Sequence, residues 1–215
     1  MSYKTVGNTV ETEFIEKKSV FIGLASRVFS EEEAKEFIGS VRSKYKDARH
    51  HVYAYTIGED MNIQRYSDDG EPQGTGGIPI LEVIKKNELK NVCVVVIRYF
   101  GGILLGAGGL TRAYVKGASE AISGAGIIER VAGFQMEMII DYDHLGSIQH
   151  HLKEKNIEIV SVDYTDKVKV TIYLESDQVG KISGEIMNLT SGNVKISMDQ
   201  EELFYKDGDR LLKLI

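Results

Sequence analysis

Apolar positions along this chain change period several times, and each change marks an element. Residues 14–28 read as two strand-like stretches, with Val20, Phe21, Ile22 and Leu24 apolar. Ser30-Glu31-Glu32-Glu33 then has capping-box spacing, and its carboxylates suit a helix N-terminus. Ala34, Phe37, Ile38 and Val41 follow at helical spacing. Residues 51–57 are rich in Val, Tyr and Thr and alternate like a strand. A long irregular loop is expected next, then a short helix over 80–89 with Leu81 and Ile84 inward. Residues 92–97 are continuously apolar, as in a strand buried on both faces. A second loop leads to a helix over 110–123.

The second half alternates more cleanly. Phe134, Met136, Met138 and Ile140 mark a strand over 134–141. Leu145, Ile148 and Leu152 mark a helix over 143–155. Strands over 157–164 and 168–174 flank a turn at Asp166-Lys167. A helix over 177–189, capped by Asp177, and a strand over 194–204 complete the chain. The order β-α-β-β-α-β is the ferredoxin-like arrangement. The fold class is therefore α+β, with a boundary near Ala125-Gly126 and Ala132-Gly133. The expected domains are residues 1–130 and 131–215.

The picture is sharpened by glycine. Nine of 22 glycines fall between Gly70 and Gly109. Glycine loses the most backbone freedom on folding, so such clustering marks positive φ or a close approach to the backbone. The first cluster, Ser67-Asp68-Asp69-Gly70-Glu71-Pro72-Gln73-Gly74-Thr75-Gly76-Gly77-Ile78-Pro79, holds three carboxylates, Asp68, Asp69 and Glu71. They could bind a divalent cation or act as general acid and base. Equally, Asp-Gly and Glu-Pro form turns, and Asp bonds its own backbone. The spacing is not that of an EF-hand. The second cluster runs from Arg98 and Tyr99 through Gly101, Gly102, Gly108 and Gly109 to Thr111 and Arg112. It joins a buried strand to a helix start, where free N–H groups suit an anion. Thr111 and Arg112 are expected in the first helical turn. The alternative is tight packing, supported by a small-residue face of Ala113, Gly117, Ala118 and Ala121. Neither a Walker A loop nor a dinucleotide fingerprint is present, and no cofactor is expected.

Composition and charge limit what these loops can do. Hydrophobic residues make up 42% of the chain and charged ones 27%, as in soluble globular proteins. No apolar run approaches a membrane span, and the polar residues 1–18 lack the apolar stretch of a secretory signal. The single cysteine, Cys93, lies in the buried strand, which excludes disulfides and cysteine metal sites. The chain reads as cytoplasmic. Residues 1–130 carry 17 cationic and 17 acidic side chains, and residues 131–215 carry 9 and 15. Bulk charge therefore does not draw nucleic acid, and any phosphate contact rests on a few local cations. The locally basic stretch from Arg42 to His51, near Tyr45 and Tyr53, could hold single-stranded RNA or be a solvated helix end. Adjacent His50 and His51 face opposite sides of a strand and cannot easily share a metal; no metal site is expected.

These motifs together carry a family resemblance. Ala48-Arg49-His50-His51 with Tyr53-Ala54-Tyr55, the Ser67–Thr75 loop, Arg98-Tyr99-Phe100-Gly101-Gly102 and Gly108-Gly109-Leu110-Thr111-Arg112-Ala113-Tyr114 resemble the YigZ/Impact family. Order and spacing agree over most of residues 15–125, and the second half resembles the extra domain of bacterial members. The resemblance implies a ribosomal protein S5 domain 2-like first domain and a ferredoxin-like second domain similar to the last domain of elongation factor G. It also implies a link to translation. Eukaryotic Impact regulates translation through partners, and nucleic-acid or ribosome binding has been suggested for bacterial members. The expected contacts are Arg49, His50, Arg98, Tyr99 and Arg112, with Gly101, Gly102, Gly108, Gly109 and Thr111 shaping the site. Expected partners are RNA, the ribosome or a translation-regulatory protein, with no membrane. Two alternatives stand beside this: an enzyme acting on a phosphorylated or anionic small molecule through Asp68, Asp69 and Glu71, and a pure protein-interaction module.

Overall fold

The computed structural model describes residues 2–213 and divides into two units, Tyr3–Ile128 and the residues from Glu129 on. The first unit contains β1 (Tyr3–Val6), β2 (Val10–Glu16), β3 (Ser19–Arg27), α1 (Glu31–Lys44), β4 (His50–Ile57), β5 (Ile63–Ser67), α2 (Gly77–Lys86), β6 (Val92–Tyr99) and α3 (Ala107–Ala125). Ser30 caps α1 through its Oγ, which accepts from Glu33 N at 3.1 Å. Glu33 reaches back to Phe29 N at 2.7 Å, one residue before the usual capping-box partner.

An antiparallel sheet, ordered β2-β3-β6-β4-β5, is the frame of this unit. Side chains of a strand alternate between faces. Val92, Val94 and Val96 of β6 therefore join α2 and α3 in one core, while Cys93, Val95 and Ile97 join α1 in another. Burial pushes the Cys93 thiol well up, leaving an inert thiol inside the sheet. Gly117 and Gly23 bring α3 close to the sheet. A Cβ on Gly23 would lie 2.5 Å from the Gly117 carbonyl oxygen.

The second unit is built on β7 (Ile127–Ile140), followed by α4 (Tyr142–Glu154), β8 (Ile159–Tyr164), β9 (Val168–Glu175), α5 (Val179–Leu189), β10 (Val194–Met198), β11 (Glu202–Asp207) and β12 (Arg210–Leu212). β9 pairs one edge of β7 and β8 pairs β9. The other edge of β7 is divided between β10 and β11. Ile148 and Leu152 of α4 and Ile182 and Ile186 of α5 cover one face of this sheet. Two sheets and five helices among the described residues make a mixed α+β protein. Among the described residues no helix is long and apolar enough to cross a membrane.

Several expected boundaries are corrected. The irregular loop after β4 contains a strand, β5, which pairs with β4 from Tyr53↔Ser67 to Ile57↔Ile63. The helix expected at 80–89 begins at Gly77 and ends at Lys86. The strand expected at 194–204 is two strands, because β7 is long enough to pair both in succession. Gln178, not Asp177, is the N-cap of α5, and it makes no side-chain cap.

Candidate functional site

The two glycine-rich segments meet at one buried carboxylate. Arg98, near the end of β6, stands opposite His50 of β4 and Phe21 of β3. Strand alternation turns it toward α3, where it is only 5% exposed. Its Nη1 donates to Glu71 Oε1 at 2.7 Å, and the Tyr114 hydroxyl of α3 donates to the same oxygen at 2.8 Å. Arg98 Nη2 donates to Ser19 Oγ at 3.4 Å. The guanidinium lies near the rings of Phe21 and Phe100, at 5.6 and 5.4 Å from their centroids. Its Nε is buried without a hydrogen-bond partner. His50 Nε2 stands 3.9 Å from Glu71 Oε1, and its Nδ1 is 2.8 Å from the Asp69 carbonyl. Burial, reinforced by the charge of Glu71, pushes the Tyr114 hydroxyl far up, so it remains a donor. Tyr99, one residue on, packs with the core on the α1 side. Arg98 and Tyr99, expected as joint contacts, are thus separated by the sheet.

Asp68 and Asp69 hold the first loop together. Asp68 Oδ1 accepts from Gly76 N at 2.9 Å and Gly77 N at 2.8 Å, while its Oδ2 accepts from Gly74 N at 2.8 Å. Gly76 is the N-cap of α2 and has no side chain to do this. The carboxylate therefore caps a helix from eight residues upstream, at the end its charge suits. A Cβ on Gly76 would lie 2.7 Å from Val52 Cγ1, so the close approach itself needs glycine. Asp69, at φ +43°, accepts from His51 N at 2.6 Å and pairs with Arg42. The three carboxylates of this loop thus face different partners. Among the described residues no group of three or more His, Cys, Asp or Glu is placed to hold a metal ion. Asp68→Asn replaces one accepting oxygen with a donor and should cost about 1–2 kcal/mol. Urea denaturation would read it, with faster amide exchange at Gly76 and Gly77. Unchanged stability would remove the capping role.

The second loop is shorter than the sequence suggests. β6 ends at Tyr99 and α3 starts at Ala107, so Gly108 and Gly109 open the helix, and Thr111 and Arg112 lie beyond its first turn. The free N–H groups of the helix start therefore lie beside Gly106 and Ala107, not beside Thr111 and Arg112 as expected. Gly101 presses on the β2–β3 hairpin, where its Cβ would lie 2.0 Å from the Lys18 carbonyl carbon. Gly102 and Gly106 take φ of +82° and +69°. Between them Ile103 and Leu104 point outward, and Leu104 is 83% exposed.

Two concavities flank this loop. One, of about 360 Å³, is lined by Arg49, His50, Glu71, Arg98, Phe100 and Leu104, among others. The other, of about 210 Å³, is lined by Lys17, Leu105, Gly109, Arg112 and Lys116, among others. Leu105 lines both. Arg49 and Arg112 are exposed, and neither is in an ion pair or side-chain hydrogen bond among the described residues. Lys17 and Lys18 were not singled out by sequence. They form the two-residue turn between Glu16 and Ser19, at φ of +44° and +67°. The available signal was a Lys-Lys pair between two strand-like stretches, with no Asn-Gly to relieve the turn.

Comparison with known proteins follows the same division of the chain. The model of the Impact N-terminal domain matches residues 17–122, and that of a domain of unknown function, DUF1949, matches residues 138–193. The chain is 43% identical to IMPACT family member YvyE of Bacillus subtilis, over 95% of this chain and 93% of that one. It is 33% identical to IMPACT family member YigZ of Escherichia coli, over 86% and 92%. A solved structure described as that of a hypothetical protein is 32% identical, covers 94% of this chain and 98% of its own, and superposes with a TM-score of 0.59.

Proposed function

This chain belongs to the IMPACT family, and on that footing we propose that it is a cytoplasmic, translation-linked protein that binds RNA, free or on the ribosome, through the loop end of its first unit. One observation carries the reading. Lys17, Lys18, Arg49, Arg112 and Lys116 gather around the second loop, and four of them have no carboxylate partner among the described residues. Lys35, Lys46, Lys86 and Lys90 also lack an ion pair among the described residues, but they are scattered, whereas these four lie around one loop of a half-chain of balanced charge and give it a local phosphate-binding surface. Arg98 and Tyr99 drop out as phosphate contacts, the first being buried and paired, the second lying across the sheet. The engagement of Asp68 and Asp69 with backbone and Arg42 favours a binding role over acid–base chemistry.

The units are read as two domains, 1–130 and 131–215. The order β10-β7-β9-β8 supports a ferredoxin-like second domain. The S5 domain 2-like reading of the first domain rests on the motif resemblance. The acidic second domain is read as the positioning element, or the seat of a translation-regulatory partner. Titration of ribosomal RNA fragments at rising salt tests the RNA reading. Four phosphate contacts give a log–log slope of about −3 on single strands. Arg49→Glu with Arg112→Glu should flatten it by about 1.4. Absent or salt-independent binding overturns the proposal.

A further inference from the structure

We infer that the 360 Å³ cleft beside the second loop takes one nucleotide, base and phosphate together. The inference rests on the RNA reading for its biological source, but its chemistry is argued separately. The volume lies within the range of small-molecule sites. One wall is apolar and open. Phe100 is 44% exposed, has the Arg98 guanidinium 5.4 Å from its ring centroid, and faces a cleft closed by Leu104 and Pro72. An unstacked base is held by such a ring, because every base has a π-face.

The opposite wall is polar and holds both signs. Glu71 Oε1 is filled by Arg98 and Tyr114, whereas among the described residues its Oε2 accepts no hydrogen bond. That oxygen can accept from a ring or amino N–H on a base edge. Arg49, a guanidinium unpaired among the described residues, lies at the rim, and Gly106 and Ala107 bring the N-terminus of the 19-residue helix α3 to the same cleft. These donors suit a phosphate. A further polar group lies in the cleft wall: Arg98 is buried, yet its Nε lacks a partner. A ligand acceptor reaching the wall would satisfy it. A simple anion would use only the donors, and an apolar ligand would leave Glu71 and Arg98 Nε unmet. A nucleotide uses both walls.

Calorimetric titration of the whole protein tests this with four nucleoside monophosphates, a free nucleoside and inorganic phosphate as probes. Nucleotides should bind at least about tenfold tighter than either fragment. Phe100→Ala should weaken nucleotide and nucleoside alike by about tenfold. Arg49→Ala should weaken the nucleotide and spare the nucleoside. Both side chains are exposed, so both variants should fold, which circular dichroism would check. Inorganic phosphate binding as tightly as nucleotides, or Phe100→Ala without effect, overturns the inference. Competition separates the two sources. Displacement of bound single-stranded RNA by a nucleotide places an RNA nucleotide in the cleft. Nucleotide binding without displacement makes a free nucleotide the occupant. RNA binding without nucleotide binding ends this inference and leaves the RNA reading standing. Nucleotide binding without RNA binding does the reverse.

Discussion

Glu71→Ala should lower the unfolding free energy by about 3–5 kcal/mol, the cost of stranding one member of a buried ion pair. The variant removes the only charged partner of Arg98 within ion-pair distance among the described residues. It also leaves the Tyr114 hydroxyl, fully buried, with no acceptor. Arg98 Nε is already unpaired, so the guanidinium has little else to lean on. Glu71→Gln keeps an accepting oxygen for Tyr114 and should cost less. The informative variant is the double one, Glu71→Ala with Arg98→Met. It deletes both charges and fills much of the same volume with a flexible apolar chain, so it should recover a large part of the loss. Urea midpoints of the two single variants and the double variant give the coupling directly. Additive losses would mean that the pair does not act as a unit. A native pair that is costly to break and replaceable by apolar groups is then not explained by stability. Its retention fits a group kept for what it holds in place, the cleft wall and the start of the second loop.

Much of the fold was legible because local and tertiary demands agree. The unbroken run of β6 could only be a strand buried on both faces, and Ser30 with Glu33 announces a helix start. β5 was missed for a physical reason. Ile63-Gln64-Arg65-Tyr66-Ser67 is an edge strand with three exposed residues in a row, so no alternation betrays it. The start of α3 was placed too late because Ala107-Gly108-Gly109 includes poor helix formers, which tertiary packing overrides. The break at residues 199–201 falls on the polar run Asp199-Gln200-Glu201, which disfavours a continuous strand, but the return to pairing depends on how far β7 extends as a template. Within the site, the carboxylates and arginines were visible, but their roles were not. A charge says nothing about its burial until its partner is known. The partner of Arg98 lies 27 residues away in sequence. Asp68 and Asp69 could be read as chemistry or as turn formers, and in the fold their carboxylates bond backbone N–H groups and Arg42, while Lys17 and Lys18 looked like any polar turn.

Those two lysines yield the sharpest separation of stability from binding. Lys17→Asn with Lys18→Gly should raise stability by about 1–2 kcal/mol while lowering single-stranded RNA affinity at low salt by about tenfold or more. Both positions have positive φ, where an ordinary L-residue costs roughly 1–2 kcal/mol and Asn or Gly much less. Asn-Gly is the dipeptide that such a two-residue hairpin turn favours. The flanking strands hold their register from Val10↔Ala25 to Glu16↔Ser19, so the tip cannot relax by slipping. Gly101 fits against the Lys18 carbonyl, which fixes the tip beside the second loop. Strain kept at a turn that places Lys17 on the surface shared by Arg112 and Lys116, with Lys18 next to it against Gly101, is the pattern of a functional turn. The variant should also flatten the salt dependence by about 1.4 log units per log unit, two phosphate contacts' worth. A gain in stability with unchanged RNA affinity would show the lysines to be bystanders. A loss of both would show that the turn needs lysine for packing, and the strain argument would fall.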